Sequence, residues 1–299
     1  MSRIKTVREY MNTYKNWPSV LFGLLTRKDF INVVLKTKSS LRIPPELVYA
    51  IKELSLRQIS AGKENYFTFD ISSGIFTFKY DDVTVKINVF KDGKVNGEFS
   101  SFADEYLFLE PIKGNIVIDI GANIADSGIW FALEGAYLTL ALEPYKYNYE
   151  MAIKNINLNK LEDKVQIINA AYGVDRTIKV EDKIANTGTV LKEYKNGLEI
   201  PVFSIQTILS RFIEEKNMNL LLKMDCEGCE YNILNESDQI LNRFSKIIIE
   251  YHKGYEKLKE KLEHAGFIVT YTQPRERFSN KTKERLIQGY LYAKRSILE

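Results

Sequence analysis

The segment Lys223 to Leu234, KMDCEGCEYNIL, sets Lys223, Asp225, Glu227 and Glu230 within eight residues. It continues from Leu220 to Met224, which reads as a strand, so the carboxylates fall at a strand's carboxyl end and in the turn beyond it. Open α/β sheets bind ligands at that edge. A solvated turn with a helix N-terminal glutamate is the plainer account of Glu227 and Glu230, and it suits Asp225 least. A second stretch of the same kind is Asn115 to Asn123, NIVIDIGAN. Ile116, Val117, Ile118 and Ile120, broken only by Asp119, suit the central strand of a parallel sheet covered on both faces. Gly121 then allows a tight turn, and Asn123 can satisfy nearby backbone groups through its side chain. A helix expected from about Ala125 to Leu133 aims its free N–H groups back at that turn, which favours an electron-rich ligand group. A buried Asp119 carboxylate is costly unless it has a partner.

The next strand, Tyr137 to Leu142, ends in Glu143-Pro144, and the proline stops it. Glu143 lies 24 residues after Asp119. An acidic side chain at the tip of the second strand can accept both hydroxyls of a ribose, which marks a nucleoside-containing cofactor. Two cofactor classes share that feature, nicotinamide dinucleotides and S-adenosylmethionine. The dinucleotide fingerprint needs glycines where this chain has Asn123 and Asp126. A carboxylate there opposes a diphosphate, so the cationic methyl donor is favoured.

These residues must be positioned by an alternation of strands and helices, which runs from Gly114 onward and reads as a mostly parallel sheet. Val165 to Ile168 is a third strand, ending at Asn169-Ala170-Ala171, and a polar loop follows. Ser204 caps a helix with Ile205, Ile208, Leu209 and Phe212 at helical spacing. Lys246 to Tyr251 is a fifth strand, followed by a helix closed by Gly266. Phe267 to Tyr271 and Gly289 to Ala293 read as antiparallel edge strands. Upstream, Ile4 to Tyr14 and Phe30 to Lys36 have helical character, and Pro44-Pro45 opens another helix to about Leu54. From Asn65 the period changes to two, with turns at Asp81-Asp82 and Asp92-Gly93, giving a small antiparallel β element before residue 100. The expected organisation is a basic helical segment at 1–64, the β element and lead-in at 65–112, and an α/β domain at 113–299.

With 299 residues, 45% hydrophobic and 27% charged, the chain has material for a sizeable core. No apolar run approaches the roughly 20 residues needed to cross a bilayer, and no secretory pattern opens the sequence. Cys226 and Cys229, three apart, have the spacing of half a zinc site or a redox pair. With two histidines and no second cysteine pair, reduced thiols in a cytoplasmic protein are expected and no residue is assigned to a metal. Residues 1 to 63 hold 12 Lys/Arg against 4 Asp/Glu, and the remaining 236 hold 30 against 35. A basic helical segment suits phosphate groups or an anionic membrane surface. Nucleic acid is not expected, since no recognition motif accompanies the charge.

In order and spacing, VIDIGAN, LEPYKYNYEMAIKNINLN, INAAYG and KMDCEGCEYNIL resemble the FkbM-type methyltransferases, a branch of the S-adenosylmethionine-dependent class I methyltransferase fold. The resemblance covers about residues 101 to 295, and the K-x-D-x-E-G-x-E segment is its most specific part. It implies a Rossmann-like sheet of seven strands, mostly parallel with a reversed final strand and helices on both faces. It also implies methyl transfer, usually to an oxygen, with a sugar, a glycan or a small metabolite as acceptor. Carried over by position, Asp119, Gly121, Ala122 and Asn123 form the turn around the methionine part, and Glu143 with Pro144 holds the ribose. Asn169 and Ala170 lie beside the adenine. Asp225, Glu227 and His252 face the reactive centre, where Asp225 or His252 is the base and Asp225 alternatively contacts the cofactor. Ala125 stands where a glycine often completes the first turn, which would narrow the methionine pocket slightly. A nicotinamide-dependent oxidoreductase and a cofactor-binding scaffold without chemistry are the competing readings.

Overall fold

The computed structural model describes residues 3–37, 39–63, 66–91, 94–95, 99–183, 185, 189–214, 217–278 and 285–295. The chain divides into two units, Met1–Glu105 and Tyr106–Glu299. The first begins with α1 (Arg3–Thr13) and α2 (Trp17–Leu25), a short apolar helix with Pro18 in its first turn, where the missing N–H costs nothing. Residues 30–36, expected as helix, instead form β1 (Ile31–Val34), paired antiparallel with β2 (Ser40–Ile43). The reason is the period: Ile31, Val33 and Leu35 are buried while Asn32 between them is exposed, and β-branched side chains pack well on a pleated surface.

The helix α3 starts at Pro45 and runs to Ser60, beyond the expected Leu54. Tyr14 donates from its hydroxyl to the Val48 carbonyl at 2.6 Å, and Lys52 meets Glu9 at 3.0 Å, which ties α1 to α3. The β element is the meander β3 (Phe67–Asp70), β4 (Ile75–Tyr80) and β5 (Val83–Asn88), followed by the short β6 (Phe90–Lys91) and β7 (Lys94–Val95). Phe76, Phe78, Phe99 and Phe102 pack edge-on and stacked behind it. Val85, Ile87 and Val89 are buried as their alternation requires, whereas Val83 at the turn is exposed. The expected turn at Asp92-Gly93 lies outside the described residues.

The first unit closes with a 3-10 turn at Ser100–Ala103, and the second opens with another at Leu107–Leu109. Its sheet elements follow in the order β8 (Ile116–Ile120), α4 (Asp126–Leu133), β9 (Leu138–Leu142), α5 (Lys146–Leu158) and β10 (Val165–Ile168). Residues expected as a polar loop contain three further strands, β11 (Ala171–Tyr172), β12 (Arg176–Val180) and β13 (Leu198–Phe203), joined in a small sheet of order β11-β13-β12. Its apolar positions are sparse and alternate with charges, yet Ile178, Val180, Ile200 and Val202 bury a cluster of their own. Then come α6 (Ile205–Phe212), capped by Ser204 accepting from Thr207 N–H, β14 (Leu220–Met224), α7 (Asp238–Leu241), β15 (Phe244–Tyr251) and α8 (Glu256–His264). The last strands are β16 (Phe267–Tyr271), β17 (Arg275–Phe278) and β18 (Arg285–Arg295).

The main sheet has the order β10-β9-β8-β14-β15-β18-β16, with β17 added on β18. Strands β10, β9, β8, β14 and β15 are parallel, and β18 runs antiparallel to both β15 and β16. This is the seven-strand pattern with one reversed strand that the motifs imply, and the fold is an α/β class I methyltransferase sheet. One detail differs from the sequence expectation: β18 is interior rather than at the edge, and the edge strand β16 runs with the parallel set. β8 and β14 are buried at every residue because helices cover both faces.

At the carboxyl edge the turn after β8 passes within contact of the turn after β14. Gly121 has φ +83, and a Cβ there would lie 1.9 Å from the Asp225 carbonyl oxygen. No L side chain fits that space or that backbone conformation without moving one strand end from the other. Gly121→Ala is expected to cost about 3 kcal/mol or more of stability. Urea denaturation of the variant beside the wild type measures it.

Candidate active site

Five parallel strand ends converge here: β8 delivers Gly121, Ala122 and Asn123, β9 delivers Glu143 and Pro144, and β10 delivers Asn169 and Ala170. β14 delivers Asp225, and β15 delivers His252. The parallel register explains the convergence, since Lys223 stands beside Asp119 and Met224 beside Ile120. Lys223 and Asp119 form an ion pair at 2.9 Å with both side chains buried. The ammonium lies off the hydrogen-bond direction of Asp119 Oδ1 and donates instead to the Gly121 carbonyl at 2.9 Å, while Ser127 donates to Asp119 Oδ2 at 2.6 Å. Burial alone disfavours the ammonium, but Asp119 and Asp225 outweigh it and hold Lys223 above the ordinary lysine pKa. Asp119 is thus an internal anchor under the turn.

Glu143 ties two strand ends together. Its Oε2 accepts from Asn123 N–H at 2.9 Å and its Oε1 from Tyr145 N–H at 3.0 Å. Asn169 donates through Nδ2 to the Glu143 and Pro144 carbonyls, so its amide oxygen is turned away from them. Asn148, on α5, donates to Asn123 Oδ1 and to the Ala185 carbonyl. Asn123 and Ala125 both adopt the left-handed backbone conformation, at φ 49 and 66. Ala125 does not narrow a pocket as expected: its methyl is buried with Ala152, Ile156 and Val165 between α4, α5 and β10.

The second cluster is built on the turn after β14. Glu227, in the left-handed conformation at φ 56, sets Oε2 3.3 Å from His252 Nε2. Glu230, fully buried, sets Oε1 3.0 Å from His252 Nδ1 and accepts His252 N–H with the same atom, while its Oε2 accepts Gly228 N–H at 2.7 Å. Tyr231 donates to the Gly254 carbonyl and accepts Lys253 N–H, so the β14 and β15 turns are stitched side by side. One ligand-capable atom from each of Asp225, Glu227 and His252 lies within 4.8 Å of the others. Desolvation opposes a charge on His252, but the hydrogen bond to Glu230 and the charges of Glu230, Glu227 and Asp225 prevail and raise it to about 9. A ring flanked by carboxylates on both nitrogens is badly placed to take a proton from a substrate.

The structure therefore brings the sequence-predicted residues to one edge in two groups, a turn with Glu143 and Asn169, and an acidic group with His252. Four contributors carried no assignment: Lys223 and Glu230 stood in the motif, but a motif does not say which of its charges turn inward. Ser127 and Asn148 lie on helices and carried no sequence signal. The cysteines depart from expectation outright. Cys226 and Cys229 are joined in a disulfide, with Cα atoms 5.4 Å apart, inside the range such a bond requires. The turn folds the two back toward each other, and the argument from reduced thiols to a cytoplasmic location loses its footing. Among the described residues no helix is long and apolar enough to cross a membrane.

Glu143 offers a pH test. Burial drives its carboxyl up to about 8 against the pull of two backbone N–H donors and Lys223. From the ordinary value of 4.5 up to about 8 the unfolded chain ionises this group while the folded chain keeps its proton. Stability from this residue is thus present below that window and is lost as pH rises through it. Glu143→Gln, which stays neutral, should flatten that fall, and unfolding curves of both proteins across the window measure the difference.

The model of the family described as "Methyltransferase FkbM domain" matches residues 119–271. No curated protein matched the chain. Among solved structures, TYW2 of Pyrococcus horikoshii in complex with MeSAdo is similar over 86% of this chain and 88% of that one, at 15% identity and TM-score 0.40. TrmK of M. capricolum in complex with S-adenosyl-homocysteine is similar over 68% and 72%, at 13% identity and TM-score 0.36. A precorrin-6y C5,15-methyltransferase of Geobacter metallireducens GS-15 is similar over 64% and 85%, at 14% identity and TM-score 0.36. These likenesses are distant, and the assignment rests on the sequence match, which spans every strand end described above. The chain belongs to the FkbM methyltransferase domain family and is a methyltransferase that uses S-adenosylmethionine.

Proposed function

We propose that the acceptor atom is a hydroxyl oxygen of a sugar, a glycan or a small metabolite, and that Asp225 is the base. The observation that carries this reading is the gathering of Asp225, Glu227 and His252 at the adjacent ends of β14 and β15. An oxygen acceptor must lose its proton as it attacks, and a carboxylate within reach serves that need.

The residues fit the cofactor. The edge is rich in carboxylates, and the Lys223 ammonium is committed to Asp119 and the Gly121 carbonyl, which suits a sulfonium and opposes a diphosphate. Gly121, Ala122 and Asn123 would turn around the methionine part, Glu143 would take the ribose hydroxyls with the remaining lone pairs of its two oxygens, and Asn169 with Ala170 would flank the adenine. When bound, S-adenosylmethionine would supply a sulfonium methyl to the acceptor oxygen and leave as a neutral thioether. Asp225 receives the hydroxyl proton and passes it to water. Holding the acceptor in line contributes up to about 7–11 kcal/mol, and the base a further factor of roughly 10²–10⁴.

Two substitutions separate these roles. Glu143→Ala should weaken S-adenosylmethionine binding by about 1–3 kcal/mol, two hydrogen bonds to a neutral carboxyl at about 0.5–1.5 kcal/mol each, and calorimetry reads it. Asp225→Asn should lower kcat by roughly 10²-fold or more with little change in cofactor affinity, because the contribution of a base grows as the proton moves. The assay is mass spectrometry of hydroxylated acceptors for the gain of one methylene. Equal losses of binding and turnover in Asp225→Asn would move that residue from base to cofactor ligand.

A further inference from the structure

The trio at the ends of β14 and β15 has the composition and reach of a cation site. On an octahedron of bonds about 2.2 Å long, neighbouring ligands lie about 3 Å apart and opposite ones about 4.4 Å. Ligand atoms of Asp225, Glu227 and His252 that lie within 4.8 Å of one another are therefore a few tenths of an ångström from closing on one ion. The imidazole is not a passing surface group. His252 is 3% exposed, and Glu230, at 0%, holds its Nδ1 side and its backbone N–H together. A carboxylate behind a histidine fixes the tautomer and ring direction of a metal-binding imidazole. His252 Nε2 lies 3.3 Å from Glu227 Oε2, and a divalent ion set between them would displace the proton they share.

We propose that Asp225, Glu227 and His252 bind a divalent cation of the Mn²⁺ class, and that this ion takes the acceptor through its oxygens. Two carboxylates and one imidazole suit an ion between the hard and borderline types. The disulfide removes Cys226 and Cys229 as thiolate ligands, which disfavours zinc. Three protein ligands leave about three octahedral positions for water or substrate. A pair of neighbouring hydroxyls can fill two of them, so the acceptor class narrows to vicinal diols such as sugars. The ion acidifies the hydroxyl it holds, and one oxygen of Asp225 accepts the released proton while the other stays on the ion. The acceptor part of this inference rests on the hydroxyl reading above, but the cation site does not.

The test uses the full chain freed of metal by chelation and titrated with Mn²⁺ alone, free Mn²⁺ being followed by electron paramagnetic resonance. One saturable site is expected, and Glu227→Gln and His252→Ala should each weaken it at least about 10-fold. Glu230→Gln, a positioning change, should weaken it about 10-fold while leaving the ligands in place. Glu227 is partly exposed, so its variant keeps the fold, and a thermal melt confirms this for all three. Absence of saturable binding, or binding unchanged in Glu227→Gln and His252→Ala, overturns the proposal. Saturable Mn²⁺ binding without methyl transfer to any diol supports the cation site and sinks the hydroxyl-acceptor reading instead.

The N-terminal unit carries a separate surface. Pro18, Phe22 and Leu25 stand at i, i+4 and i+7 of α2, all exposed, with Phe22 at 60% and Leu25 at 81%. Lys15 precedes this stripe and Arg27 and Lys28 follow it, all exposed, with the Lys28 ammonium 5.9 Å from the Phe22 ring centroid. An apolar stripe bracketed by cations, on a segment with a surplus of eight positive charges, matches the interface of an anionic bilayer, where the apolar side chains enter and the cations meet headgroups. We infer that α2 docks the protein on anionic lipid. In sedimentation of the full chain with phosphatidylglycerol vesicles, the double change Phe22→Ser and Leu25→Ser should reduce the bound fraction at least about 10-fold, and raised salt should reduce it in the wild type. Equal binding to neutral phosphatidylcholine vesicles, no binding at all, or a stripe-dependent dimer in analytical ultracentrifugation overturns it.

Discussion

The buried pair Asp119–Lys223 is the constraint on which the catalytic edge depends. Each charge alone would be intolerable at that depth, and together they lock the two central strands at neighbouring register positions. Lys223 also holds the Gly121 carbonyl and Ser127 holds the other oxygen of Asp119, so the turn after β8 and the start of α4 hang from the same pair. Breaking one partner would leave a charge stranded in a dry sheet. The acidic group of Asp225, Glu227 and Glu230 stands on the turn that follows Lys223.

A second knot works between β8 and β9. Glu143 spans them with one oxygen to each turn, and Asn169 braces the same segment from β10. These side chains do for the loops what ladder bonds do for the strands. Left-handed residues Asn123, Ala125 and Glu227 are the strained points of this framework, and all three lie within the two turns that face the ligand.

Much of the parallel core was legible because buried strands such as Ile116–Ile120 and Leu220–Met224 are continuous apolar runs, and helices such as α5 and α6 show their period plainly. The site was legible as a set of strand-end residues, since chain order alone puts Asp119, Glu143, Asn169, Asp225 and His252 at one edge. Their division of labour was not. Asp119 and Glu143 look alike in sequence and are both buried, yet one lies on an ion pair and the other on backbone N–H groups. Short elements fared worst: β1 is four residues of Ile, Asn and Val, too few to fix a period, and β12 carries as many charges as apolar residues. Their pairing depends on partners far along the chain, which no local window contains.

The place of β18 bears on how the molecule is made. It follows β16 in the chain but lies between β15 and β16 in the sheet, so β16 has no described neighbour in the main sheet until β18 arrives. During vectorial synthesis the parallel strands and their helices can assemble in order as they emerge, ending in an open edge at β15. Closure then requires a late strand to slide in as a wedge and pair on both sides at once, a step of high contact order. The turn after β14 and the His252 turn after β15 are complete before that wedge enters, except where His252 and Gly254 exchange backbone bonds with Ile287 of β18 itself. β18 thus sets the final seat of the histidine.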